Sequence, residues 1–227
     1  MKAPKSPSAL RTMALWDEAP RGSRLHTTIR WWTAPFTELE LEVPLAGDIL
    51  EVGCGHGVFT AFLGISSRAR RVVGIDIDSD KIALAKAAAS GLGPGEAEVD
   101  FDVMPPGSVP GVDGGWRAIV FADVLYLMHP EDRRAILAAC FEALAPGGLL
   151  IVKEVDTRPR LKAFVAQCQE VLSTRVFRIT HGNHLAFPSL VELESLMSEI
   201  GMSTIAKHID HGYLHPHCVV IGTKPAS

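Results

Sequence analysis

Cysteine is scarce in this chain: 4 in 227 residues, at Cys54, Cys140, Cys168 and Cys218, with no C-x-x-C pair among them. That excludes a disulfide framework and a zinc knuckle, and it fits a reducing compartment. Cys140, Cys168 and Cys218 read as small buried hydrophobes. No stretch approaches the ~18 consecutive apolar residues of a membrane span. Met1 to Ala14 is rich in Lys, Pro and Ser and lacks a continuous apolar run, so it does not read as a signal peptide, and a cytoplasmic protein is expected. Excess positive charge is missing as well. The formal net charge is −4, which provides no electrostatic footprint for nucleic acid. Arg68, Arg70 and Arg71 do cluster, and they read as a solvated loop. Internal repeats are absent and a second domain is not indicated.

What is present is the balance of a globular protein with enough apolar material for a core: 47% hydrophobic and 21% charged residues. Pro4 and Pro7 with flanking Lys and Ser predict disorder over residues 1 to about 10. Between Leu15 and Glu42, Leu25, Ile29, Trp32 and Phe36 recur at helical spacing, with His26, Arg30 and Trp31 close by. Trp31 and Trp32 read as core packing. The expected organisation is an N-terminal tail and helical cap over 1–44, and one domain over 45–227.

The chemistry is concentrated in Ile49-Leu50-Glu51-Val52-Gly53-Cys54-Gly55-His56-Gly57, followed by Val72-Val73-Gly74-Ile75-Asp76. A short apolar strand runs into a glycine loop that opens a helix, and a second strand ends in an acid. Glycines let backbone approach a ligand where a Cβ would occupy its space. An acid at the tip of the second strand can accept hydrogen bonds from both ribose hydroxyls. The dinucleotide fingerprint G-x-G-x-x-G is not met, because its third glycine position holds Val58. Glu51, two residues ahead of Gly53, would also repel a pyrophosphate, so the loop suits a cationic ligand.

Strand and helix patterns alternate along the chain, which predicts a parallel sheet covered on both faces. Strands are expected at Asp48–Val52, Val72–Ile75, near Glu98–Val103, from Ala118 up to Ala122, which follows the strand, and at Leu149–Glu154. The last third is predicted to hold helices near 161–172 and 189–200. A final hairpin of Ser203–Ile209 and Val219–Thr223 follows, joined by a loop with His211, His215 and His217.

The acid-x-Gly-x-Gly-x-Gly run resembles motif I of class I S-adenosylmethionine-dependent methyltransferases, of the small-molecule, bacterial-like kind. Asp76 resembles their ribose-binding acid. Ala118 to Tyr126 and Leu144 to Val152 resemble the family's fourth and fifth strands with their flanking turns. The resemblance implies an α/β three-layer Rossmann-like fold, with a mostly parallel seven-stranded sheet and an antiparallel last strand. The implied cofactor is S-adenosyl-L-methionine. Gly53, Cys54 and Gly55 would line its methionine moiety, Glu51 would orient the ammonium, and Asp76 would hold the ribose. Ile77 would pack on adenine, and Ala122 would lie beside the sulfonium. Where the family usually has an acid for the adenine amino group, this chain has Met104, with Asp102 two residues before.

Methyl transfer from a sulfonium is an in-line displacement in which positioning supplies much of the rate. A hydroxyl acceptor gains from a base near neutrality, and histidine is the natural candidate. His181, His184 and His215 are the candidates for catalysis, with His211 and His217 in reserve. Tyr126 and His129 could wall the acceptor. The histidine-bearing loop lacks an acid pattern, so no metal site is expected. No Asn/Asp-Pro-Pro-Tyr run follows the fourth strand, against the adenine and glutamine amide methylases. Lys153-Glu154-Val155-Asp156-Thr157-Arg158-Pro159 resembles a motif of a bacterial methyltransferase subgroup. The reading is methyl transfer to a small or lipid-like metabolite, O-methylation before N- or C-methylation. Alternatives are an RNA or protein methyltransferase and a catalytically silent cofactor-binding partner subunit. Oligomeric state is not legible.

Overall fold

The computed structural model describes residues 2–155, 189–213 and 216–226. A single sheet orders its strands β3-β2-β1-β4-β5-β7-β6. These are β1 (Gly47–Val52), β2 (Arg70–Asp76), β3 (Glu98–Val103), β4 (Trp116–Ala122), β5 (Leu144–Val155), β6 (Ser203–His208) and β7 (His217–Thr223). The first five are mutually parallel, and β7 runs antiparallel to both β5 and β6. Seven strands with one reversed near the edge is the architecture that the family resemblance implies.

Side chains of a strand alternate between faces, and both faces here are apolar. Ile49, Val72, Ala118, Val120, Ile151 and Val219 face one layer of helices. Leu50, Val52, Val73, Ile119, Phe121, Leu150 and Val152 face the other. The first layer contains α1 (Pro7–Ala14), α2 (Arg21–Thr33), α3 (Phe36–Glu40) and α4 (Val58–Ser66). The second contains α6 (Pro130–Ala143) and α7 (Leu190–Glu199), while α5 (Ser79–Ala89) packs on β2 and β3. Helix α4 is apolar nearly all round, which is why it is sandwiched between sheet and α1. Phe59 and Phe62 are almost fully buried there, each contributing roughly 1.5–3 kcal/mol by burial.

Three local expectations are overturned. Residues 7–14 are a helix, not a disordered tail. Ser6 caps it by accepting the Ala9 N–H at 3.1 Å, and Pro7 occupies the first turn where its missing N–H costs nothing. Ala9 and Thr12 then bury, and Arg11 reaches Glu96 and the Gly91 carbonyl. In α2 the buried side is Ser23, Thr27 and Trp31, whereas Leu25 and Trp32 are exposed. The helix lies against polar strand ends, so its inner face is small and polar, and Trp31 alone of the tryptophan pair enters the core, edge-on to Phe36 and Phe62. Arg70 is not solvated. It is fully buried and donates to Glu40 (2.6 Å) and to the carbonyls of Pro44, Val43 and Leu63 (2.7, 2.9 and 3.0 Å), tying the α3–β1 link to α4.

Candidate active site

In an open α/β sheet the ligand edge is the one where the parallel strands end. Four segments meet there: the glycine loop after β1, the tip of β2, the turn after β4 and the end of β5.

The glycine loop hangs from β2. Gly53 and Cys54 both donate to the Ile75 carbonyl, at 2.7 and 3.0 Å, and Gly57 donates to Cys54 at 2.9 Å. Gly57 enters α4 with φ +79°, and an added Cβ would lie 2.5 Å from the Phe101 ring. Gly53, at φ +75°, has no room either, because Val124 of the next strand's turn fills the place of its Cβ. The loop can adopt this path only with glycine at both points. Asp76 locks its shape: one carboxylate oxygen accepts the Gly55 N–H at 2.8 Å, the other the Asp78 N–H at 2.9 Å. Each oxygen keeps a second lone pair, which is the capacity a ribose diol would use.

Glu51 lies beneath the loop, 3% exposed, accepting a hydrogen bond from the Thr60 hydroxyl. Burial pushes its carboxyl up to about 7; the Thr60 hydrogen bond and the Arg30 charge oppose that shift. An acid poised near neutrality below a ligand edge is what a binding cation would ionise.

Helix α2 lies over this edge. Its Arg30 donates to the Ala122 carbonyl (2.7 Å) and to Asp123 (2.5 Å). His26, one turn earlier, sits 4.5 Å centroid to centroid from His56 of the glycine loop, and the Nδ1 atoms of both are buried without hydrogen-bond partners. Burial, His56, Arg30 and Lys81 depress His26 to about 4, and burial with Lys81 lowers His56, so the charged form is disfavoured on both rings.

The turn after β4 is unusual. Asp123 has φ +58°, a left-handed conformation that few residues other than glycine adopt. Lys153, wholly buried on β5, donates to both carboxylate oxygens of Asp123, at 2.5 and 2.6 Å. Burial disfavours the Asp123 charge, yet Lys153 and Arg30, with His217 beyond, hold its carboxyl well below the usual range. It is therefore a fixed anion and no general base. Glu154, next to Lys153, accepts the N–H groups of Val124 and Leu125 (3.2 and 2.8 Å). Burial and the Asp123 charge raise it to about 8.

Comparison with known proteins agrees with this geometry. Residues 49–148, which hold the glycine loop, Asp76 and the β4 turn, match a family described as methyltransferase domain. In that match and in its fold the chain is similar to methyltransferases. It is 26% identical over 163 residues to a ubiquinone biosynthesis O-methyltransferase of Psychrobacter arcticus, covering 71% of this chain and 62% of that one. It is 29% identical over 132 residues to a trans-aconitate 2-methyltransferase of Paracidovorax citrulli, covering 56% and 46%. The chain thus spans less than two thirds of the length of these curated relatives. Among solved structures, a SAM-dependent methyltransferase of Methanosarcina mazei superimposes with a TM-score of 0.62 at 22% identity, covering 82% of this chain and 95% of that one.

The carboxyl edge of the parallel strands gathers Glu51, Gly53, Cys54, Gly55, Asp76, Ile77, Met104 and Ala122. Cys54 is buried, with its thiol pushed up, chiefly by burial and then by Glu51. Ile77 is exposed beside Asp76. Met104 donates its N–H to the Asp76 carbonyl at 3.0 Å. Asp102, the other candidate near β3, is exposed and pairs with Lys86 instead. His181, His184 and His215 lie outside the described residues, as does Asp156. His217 is buried at the start of β7, edge-on to Tyr213, and His211 is exposed. Tyr126 and His129 are half-buried at the β4 turn and the start of α6. Among the described residues no group of three or more His, Cys, Asp and Glu is placed to hold a metal ion, and no helix is long and apolar enough to cross a membrane. Arg30, Lys153, Glu154, His26 and His56 carry no role in the sequence reading. Lys153 and Glu154 were visible only as a motif at a strand end.

Proposed function

We propose that this chain binds S-adenosylmethionine at the β1–β2 edge and transfers its methyl group to an oxygen of a small or lipid-like metabolite. The observation that carries the reading is one constellation. A Cβ-free loop is bonded through Gly55 to Asp76, a buried acid poised near 7 lies beneath it, and the β4 turn packs on Gly53. The residues fit the cofactor: Asp76 for the ribose, Ile77 for the adenine face, Glu51 for the cationic methionine end. When bound, the cofactor supplies an electrophilic methyl on a sulfonium. The protein's part is to position and to exclude water. Helix α2 covers the edge through Arg30, and the turn after β4 sets the acceptor side. The name of the first relative above, an O-methyltransferase, supports the choice of O-methylation.

The test has two stages. Calorimetry should show S-adenosylmethionine and S-adenosylhomocysteine binding with no binding of NAD or NADP. A labelled-methyl screen over phenols, carboxylic acids and hydroxylated lipids should then show transfer to oxygen. Tighter binding of a dinucleotide overturns the cofactor reading. Binding without turnover on any acceptor favours a silent partner subunit.

A further inference from the structure

Four polar side chains, from three different elements, converge on residues 122–125 at the end of β4. Arg30 takes the Ala122 carbonyl and one Asp123 oxygen; Lys153 takes both Asp123 oxygens. Glu154 takes the N–H groups of Val124 and Leu125; Arg133 of α6 donates to the Leu125 carbonyl at 3.0 Å. Lys153, Glu154 and Arg133 are each at most 1% exposed. Burying charge is costly unless it is paired; Lys153 and Arg30 pair with Asp123, and Arg133 also faces Glu192 at 3.6 Å.

Alternation along β5 explains the arrangement. Lys153 shares the face of Ile151 under α2, and Glu154 shares the face of Val152 under α6. Two consecutive residues therefore reach the same turn from opposite sides of the sheet. What they hold is an irregular backbone: Asp123 is left-handed, and Val124 follows at φ −126°, ψ −41°. The successive N–H groups of Val124 and Leu125 converge on one oxygen of Glu154. The turn is then felt at the cofactor edge, because the Val124 methyls occupy the space beside Gly53.

We propose that Lys153 and Glu154 are positioning residues, a two-sided clamp that fixes the left-handed turn after β4 and through Val124 fixes the glycine loop. The proposal rests on the cofactor reading above for its binding readout only. It is tested with the full chain, S-adenosylhomocysteine as calorimetric probe, and amide hydrogen exchange over residues 122–127. Glu154→Leu removes the acceptor oxygen. It should weaken the probe and speed exchange at Val124 and Leu125 by about tenfold or more, the worth of two lost hydrogen bonds. Glu154→Gln keeps an oxygen for both N–H groups and should stay within about threefold of the parent in both readouts, since the net change in hydrogen bonding is small. A folded Glu154→Leu with parental affinity and protection overturns the clamp, and so does a glutamine variant as damaged as the leucine one. If Glu154→Leu does not fold, Lys153→Met tests the other jaw by the same readouts, and parental values there overturn the proposal. If the parent itself fails to bind the probe, the cofactor reading falls, and the exchange data still decide the clamp.

Discussion

Binding of a cationic ligand at the glycine loop should expel a proton from Glu51. In the free protein its carboxyl titrates at about 7, displaced from 4.5 mainly by burial. An opposite charge brought within ~4–6 Å lowers a carboxyl by about 1–3 units. A fall of about two pH units, the middle of that range, leaves this carboxyl largely ionised in the complex at pH 6. At pH 6 the free protein is then about nine-tenths protonated at this site and the complex about one-tenth, so roughly 0.8 proton leaves per ligand bound. Affinity should rise about sevenfold between pH 6.0 and 7.5, close to 1.2 kcal/mol, because the bound state holds fewer protons. The upper limit matters, since a free α-amino group itself titrates near 8. The assay is calorimetry of S-adenosylmethionine at pH 6 in phosphate and in an amine buffer, whose ionisation enthalpies differ widely. The slope of observed enthalpy against buffer enthalpy counts the protons. Glu51→Gln should abolish both the slope and the pH dependence. A parent enthalpy independent of buffer, with equal affinity at the two pH values, refutes the reasoning.

Three other outcomes follow from the structure. Asp76→Ala removes the anchor of Gly55 and the expected ribose acceptor; each charge-assisted hydrogen bond is worth about 1.5–3 kcal/mol. Calorimetric affinity for S-adenosylhomocysteine should therefore drop by about tenfold or more while circular dichroism stays native. Arg70→Met deletes a buried cation bonded to Glu40 and three carbonyls, a loss of about 3–5 kcal/mol. Melting should fall by roughly 6–20 °C for a chain of this size, and a shift of a degree or two would show that the site rearranges freely. His26, depressed from 6.5 to about 4, binds fewer protons folded than unfolded. Its share of stability is present above pH 6.5 and is lost as the pH falls from 6.5 towards 4. His26→Gln should flatten that part of the melting temperature against pH, and an unchanged slope assigns the acid sensitivity elsewhere.

The glycine loop and Asp76 were legible because their requirements are local. A left-handed entry into a helix needs glycine wherever the rest of the chain goes, and a strand ending in an acid carries that acid to the strand's carboxyl edge. Alternation of apolar strands and helices likewise implied the layered sheet, and the reversed β7 followed from a final hairpin. The left-handed Asp123 gave no such sign, since nothing in Ala122-Asp123-Val124 asks for a positive φ. The partners around it, Lys153, Glu154 and Arg30, lie 29 or more residues away in sequence. Arg70 shows the same limit from the other direction: an arginine in a basic cluster looks solvated until Glu40 and three carbonyls surround it. The sequence by itself determined the sheet and the ligand edge, because backbone conformation and hydrophobic periodicity are short-range properties. Only the tertiary structure decided which charges are buried and what they hold, because desolvation must be matched by partners that chain folding alone brings together.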